Sequence, residues 1–197
     1  MTGTERPVGV VLAGGESKRF GSQKAAAEID GTSLENGALR RLRQVCTHVT
    51  LADRGRSRAA GSANVGTATV GDGPGRGPAA GILGAAAAYP GRSLLVLACD
   101  LPGVSVDLLA HLSAVRDCDW YLPRHSIGVE PLCAFYGRSA LAALARRVEN
   151  GAFALQGLLE EALRRKFLEG DELAAFGDPA ELFLNVNTPA DLARTRG

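Results

Sequence analysis

The chain has 197 residues, with 22 Lys and Arg against 21 Asp and Glu and a formal net charge of +1. That length suits one domain, residues 1–197, with a substantial hydrophobic core. Near-neutral charge with 46% hydrophobic residues excludes a disordered chain, a basic nucleic-acid-binding surface and an acidic tail.

Residues 8–12 (VGVVL) are a β-branched run that stops at Ala-Gly-Gly, which predicts a buried parallel strand. A glycine-bracketed loop covers 13–24. Helical periodicity follows over 33–45, with Leu34, Ala38, Leu42 and Val45 on one face. Strands are predicted at 48–52 and 65–70, separated by a polar loop or short helix at 54–63. The loop 71–77 (GDGPGRG) leads into an Ala-rich helix at 78–89, which Pro90-Gly91 ends. Residues 93–99 are a wholly apolar strand ending at Asp100, and 105–116 an amphipathic helix with Ser105 at its N-cap. In the second half, 120–123 and 132–135 read as strands and 139–148 and 153–164 as helices. Phe183-Leu184 is a short apolar stub. Thr188, Pro189 and Asp191 suit the N-cap, N1 and N3 positions of a last helix. Alternating strands and helices argue a mainly parallel central sheet covered on both faces, a Rossmann-like three-layer α/β sandwich.

Cys46, Cys99, Cys118 and Cys133 form no CxxC pair, and His48, His111 and His125 no HxxxH pair, so a structural zinc site is not expected. The polar start, 1–7, does not read as a signal peptide, and the longest apolar run, 94–99, cannot span a bilayer. The sequence therefore reads as a soluble, cytoplasmic, reduced protein.

Four segments carry candidate chemistry. The first is 12–24, LAGGESKRFGSQK, directly after a strand, where α/β sheets present ligands. Gly14, Gly15 and Gly21 let a backbone approach a phosphate, and Lys18, Arg19 and Lys24 add three cations. Its spacing fits neither a dinucleotide GxGxxG fingerprint nor a P-loop. A solvated basic loop would have the same composition. The second is Asp100, a lone carboxylate at the end of a central strand, suited to Mg²⁺ held together with substrate phosphates, or to capping the turn before Pro102. The third is Asp72 with Gly75, Gly77, Pro78 and Gly81. This is a plain surface loop, or a loop whose carboxylate accepts from the donor edge of guanine beside a helix N-terminus. The fourth pairs Glu130-Pro131-Leu132 with Asn185-Val186-Asn187. The two Asn side chains point the same way on an extended segment, toward a polar ligand or into a turn.

In order, LAGGESKRFGSQK at 12–24, Asp72, GPAAGI at 77–82, CDLP at 99–102, EPL at 130–132 and NVNTPADL at 185–192 resemble the MobA-like nucleotidyltransferases, and more closely their molybdenum cofactor guanylyltransferase branch. The resemblance covers nearly the whole chain. It departs at Phe20 for Met, Gln23 for Asp and Ala79 for Leu. At the end of the second strand, where the family can place an Asn, this chain has Ala52 and Asp53.

The resemblance implies transfer of GMP from GTP to the phosphate of molybdenum-bound molybdopterin, with release of pyrophosphate. It implies that Leu12, Ala13, Gly14 and Gly15 line the nucleotide site with Asp72, Gly77, Pro78 and Gly81. Arg19 and Lys24 would hold phosphates, Asp100 would bind Mg²⁺ and contact GTP, and Asn185 and Asn187 would lie on the pterin side. The implied partners are GTP and a molybdopterin-type phosphate acceptor, with a molybdoenzyme or cofactor-delivery protein as a further one, and neither nucleic acid nor a membrane. An ionised phosphate acceptor needs no strong general base, so the expected catalysis is positioning and charge neutralisation by Arg19, Lys24 and Asp100. The alternatives are a cytidylyltransferase of the same superfamily, acting on molybdopterin or a sugar or alcohol phosphate, and a nucleotide-binding module without turnover. The second Gly of LAGG and the ending NTPADL favour the guanylyl branch.

Overall fold

In a computed structural model, residues 6–13, 28–29, 32–53, 67–115, 117–186 and 191 are described. The strands are β1 (Val8–Leu12), β2 (Glu28–Ile29), β3 (Thr32–Ser33), β4 (Val49–Ala52), β5 (Ala68–Val70), β6 (Leu94–Ala98), β7 (Trp120–His125), β8 (Gly128–Val129), β9 (Cys133–Tyr136) and β10 (Arg165–Leu168). The helices are α1 (Leu34–Val45), α2 (Gly77–Ala88), α3 (Val106–Ala114), α4 (Arg138–Glu149), α5 (Gly170–Ala174) and α6 (Pro179–Leu182).

The main sheet has the order β10-β7-β9-β6-β1-β4-β5, with β8 paired to β7 as a hairpin. β1, β4, β5 and β6 are parallel neighbours, as are β7 and β10. Only β9 among the strands of that order runs the other way, between β6 and β7. The sheet is thus mainly parallel, as the alternation of strands and helices predicts.

Alternate residues of each central strand feed two separate cores. Val11, Leu95, Leu97 and Tyr121 pack with Leu39 and Leu42 of α1 and Leu108 and Leu112 of α3. Val8, Val10, Leu94, Val96 and Trp120 pack with Ile82 of α2 and Leu141 and Leu144 of α4. This period-2 division across a sheet covered on both faces is the three-layer sandwich. Each fully buried Leu or Val contributes about 1.5–3 kcal/mol relative to exposure. Local signals set the helix starts. Ser33 Oγ accepts from the Asn36 N–H at 3.3 Å and Ser105 Oγ from the Leu108 N–H at 3.2 Å. Pro78 occupies the first turn of α2, where no N–H is required.

The predicted helix at 153–164 is corrected. That stretch holds a 3-10 helix at Leu155–Glu160, after which the chain enters β10. Leu155 and Leu158 are its buried residues, and a spacing of three suits three residues per turn. β10 has no apolar signature because it is an edge strand whose Arg165 and Lys166 are exposed. The β2–β3 hairpin, β8, α5 and α6 are further elements that the periodicity does not single out. The predicted loop or helix at 54–63, the start of the predicted strand at 65–70 and most of the predicted last helix lie outside the described residues.

Candidate active site

The site edge is built from strand register. Ala98, Leu12, Ala52 and Val70 lie in one row across β6, β1, β4 and β5. The ladder extends one step further. The Cys99 N–H donates to Leu12 O (3.2 Å), the Ala13 N–H to Ala52 O (3.1 Å) and the Asp53 N–H to Val70 O (3.3 Å). Asp100 and Asp72 each follow two residues beyond this row, so both emerge at the carboxyl edge of the parallel strands. Ligands bind at that edge in open α/β sheets.

At one end of the row, Leu12, Ala52, Gly81 and Asp72 converge. A Cβ placed on Gly81 would lie 3.0 Å from Leu12 Cδ2, 3.4 Å from Ala52 Cβ and 3.9 Å from Asp72 Oδ1. Asp72 is exposed at this spot, while Leu12, Ala52 and Gly81 form a buried floor. Of the two residues standing where the family can carry Asn, Ala52 occupies the row and presents only a methyl, and Asp53 is the first polar side chain beyond it. The loop 71–73 rests closely on α2: the Gly73 N–H donates to Ala80 O at 2.8 Å. A Cβ on Gly84 would clash with the Gly71 carbonyl oxygen and lie 2.9 Å from Gly73 N. Gly77 has φ 63°, a left-handed conformation that costs glycine nothing, where the loop turns into the helix.

At the other end stands Asp100, half-buried. Its carbonyl accepts from the Val186 N–H at 2.9 Å, which sets the exposed Asn185 beside it. Gly103 lies so close to the Glu181 carbonyl that a Cβ there would overlap it, so α6 is pressed onto the same loop. Glu130 approaches from the start of β9. Its Oε1 accepts from the Leu132 N–H at 3.2 Å, and the Leu132 carbonyl in turn accepts from the Ala98 N–H at 2.8 Å. Burial pushes the Glu130 carboxyl above its ordinary range. The Leu132 N–H pulls it back, and the charge of Asp100 adds to the rise.

Arg41 of α1 is a feature the sequence does not announce. Its Nη1 donates to Leu101 O (3.2 Å), Val104 O (2.9 Å) and Pro102 O, and its Nε to Gly37 O (3.3 Å). Burial draws its pKa below the ordinary guanidinium value, while Cys133 and Cys99 act in the opposite direction. In the sequence it is one of three arginines in Arg40-Arg41-Leu42-Arg43, with nothing to distinguish it.

Of the residues expected in the site, Leu12, Ala13, Asp72, Gly77, Pro78, Gly81, Asp100 and Asn185 lie along this one edge. Gly14, Gly15, Arg19, Lys24 and Asn187 lie outside the described residues.

Comparison with known proteins decides the family. The family model for the MobA-like NTP transferase domain matches residues 9–167, most of the chain. The chain belongs to the MobA-like NTP transferase family. A protein of Opitutus terrae named a probable molybdenum cofactor guanylyltransferase is 34% identical over 95% of this chain and 94% of its own length. The crystal structure of molybdopterin-guanine dinucleotide biosynthesis protein A from Archaeoglobus fulgidus superposes with a TM-score of 0.79 at 29% identity, covering 95% of this chain and 96% of that one. A Mycobacterium tuberculosis structure in complex with manganese shares the fold, with a TM-score of 0.67 at 22% identity and 97% of each chain covered. As a MobA-like NTP transferase the chain is an enzyme of nucleotidyl transfer, with the Rossmann-like fold of that family. No described helix is long and apolar enough to cross a membrane.

Proposed function

We propose that this MobA-like NTP transferase moves GMP from GTP to the phosphate of a molybdenum–molybdopterin cofactor and releases pyrophosphate. One observation carries the reading: Asp72 and Asp100 stand two residues beyond the opposite ends of a single strand-register row whose side chains, Val70, Ala52, Leu12 and Ala98, are all apolar. The Leu12, Ala52 and Gly81 floor takes the base, and Asp72 accepts from the N1–H and N2–H₂ edge of guanine. Asp100 lies toward the phosphates, with Arg19 and Lys24 of the segment 12–24 as their cations. Asn185 and Asn187 are assigned to binding of the pterin acceptor.

The donor set at the second end suits Mg²⁺. Among the described residues no group of three or more His, Cys, Asp or Glu could enclose a metal ion. Mg²⁺ needs no such cage, because it is commonly held by one or two carboxylates together with substrate phosphates. Asp100 would hold it, with Glu130 as a neighbouring negative charge. When bound, the ion neutralises charge on the phosphate oxygens. The chain's own groups do the rest: Asp72 and the floor fix the base, the cations hold the leaving pyrophosphate, and the acceptor phosphate attacks already ionised.

GTP is expected to raise the melting temperature more than CTP, UTP or ATP, each added with Mg²⁺. A nucleotide without that donor edge forgoes the hydrogen bonds to the charged Asp72, worth roughly 1.5–3 kcal/mol of discrimination. Equal or greater stabilisation by CTP would transfer the assignment to the cytidylyl branch. Lys24→Ala is expected to weaken triphosphate binding and slow pyrophosphate release while shifting stability by no more than about 0.5 kcal/mol. Wild-type turnover, or a collapsed melting temperature, removes Lys24 from the phosphate site.

A further inference from the structure

Arg41 is half-buried, whereas Arg40 and Arg43 on the same helix are exposed. A guanidinium withdrawn from water is costly unless its donors are met. Among the described residues its hydrogen bonds all go to main-chain oxygens: Gly37 within α1, and Leu101, Pro102 and Val104 in the loop that immediately follows Asp100. Those three loop carbonyls are 60 to 63 residues away in sequence. The bond from Nε to Gly37 fixes the plane of the guanidinium, so Nη1 is aimed rather than free to swing.

Asp100 is thereby bracketed. On one side its own carbonyl is held by the Val186 N–H. On the other, the following residues are gathered onto a single nitrogen of Arg41. The backbone that carries the carboxylate can shift only if one of these ties gives. α1 is also the first described helix after the segment 12–24, so Arg41 joins that helix to the loop that follows Asp100.

We propose that Arg41 is a positioning residue for nucleotidyl transfer, holding the 101–104 loop so that the Asp100 carboxylate meets the divalent cation at a fixed place. This rests on the reading of Asp100 as the cation ligand. Groups that orient a metal ligand typically account for about 10- to 100-fold in metal affinity or activity. Without the guanidinium, three carbonyls turn to water and the loop gains freedom, while α1 keeps its apolar face.

The test compares Arg41→Met, Arg41→Lys and Arg41→Ala with Asp100→Asn in the full chain. Three quantities are read: Mn²⁺ affinity of the protein–GTP complex by electron paramagnetic resonance, the Mg²⁺ concentration for half-maximal pyrophosphate release, and the melting temperature. Arg41→Met retains an unbranched aliphatic stem along the helix. It is expected to fold, to bind Mn²⁺ about 10- to 100-fold more weakly and to need correspondingly more Mg²⁺. Added guanidinium is expected to restore part of the Mn²⁺ affinity of Arg41→Ala, a recovery that loss of general stability would not give. If Asp100→Asn loses metal affinity while folded Arg41 variants keep it, the role of Arg41 is overturned and that of Asp100 stands. If Asp100→Asn keeps wild-type metal affinity, the Asp100 reading fails and takes this proposal with it. If no Arg41 variant folds, Lys included, Arg41 belongs to the fold and not to the positioning of the cation.

Discussion

Asp100→Asn is expected to give a folded protein that no longer carries out divalent-dependent transfer. The hydrogen bond from Val186 is accepted by the main-chain carbonyl of residue 100, and β6 below it is buried throughout, so neither depends on the side-chain charge. Asn also serves a turn or cap about as well as Asp. What disappears is the hard anionic oxygen that draws a small divalent ion to the phosphates. Losing one preorganised electrostatic group of this kind costs on the order of 10²–10³ in kcat. Pyrophosphate release across a Mg²⁺ titration, with melting recorded alongside, measures both halves of the expectation. A folded variant with near-normal Mg²⁺-dependent release would end the metal-ligand assignment.

Gly84→Ala is expected to be the most damaging single-methyl change in α2. The new carbon would clash with the Gly71 carbonyl oxygen and crowd Gly73 N, both of them backbone atoms with little freedom to yield. Overpacking of this sort costs about 1–3 kcal/mol, and in a chain of this size each kcal/mol lowers the melting temperature by about 2–4 °C. Because the displaced loop carries Asp72, stabilisation by GTP should fall as well. Gly37→Ala is the control. A Cβ at Gly37 has nothing within 4 Å, and inside a helix the change is expected to stabilise by about 0.4–1 kcal/mol. If Gly84→Ala melts and responds to GTP like the wild type, the close seat of the 71–73 loop on α2 does not hold in solution.

Legibility in the sequence followed burial. The central strands β1 and β6 are apolar at every position, and their ends at Ala13 and Asp100 mark the site edge directly. Asp72 and Gly81 could be paired by motif order, but only the fold brings them against Leu12 and Ala52. The edge elements were harder to read. β10 presents two exposed basic residues, and β2, β3 and β8 are two residues each, too short for any period to register. Arg41 was illegible for a different reason. A helical arginine beside two others reads as solvated, and its partners are carbonyl oxygens, which every residue possesses and no sequence pattern can mark.

The bond between Val186 and Asp100 has a consequence for the order of synthesis. By the time residue 168 has been made, every described strand of the sheet exists, with both cores largely specified. Yet α6 and Val186, which close on the loop after β6, are made later still, Val186 following Asp100 by 86 residues. A domain that folds as it emerges at roughly 5–20 residues per second can assemble its sheet seconds before its site is finished. During that interval the nascent chain carries the Asp100 loop without the bond from Val186, so the ribosome delivers a framework first and a working edge afterwards.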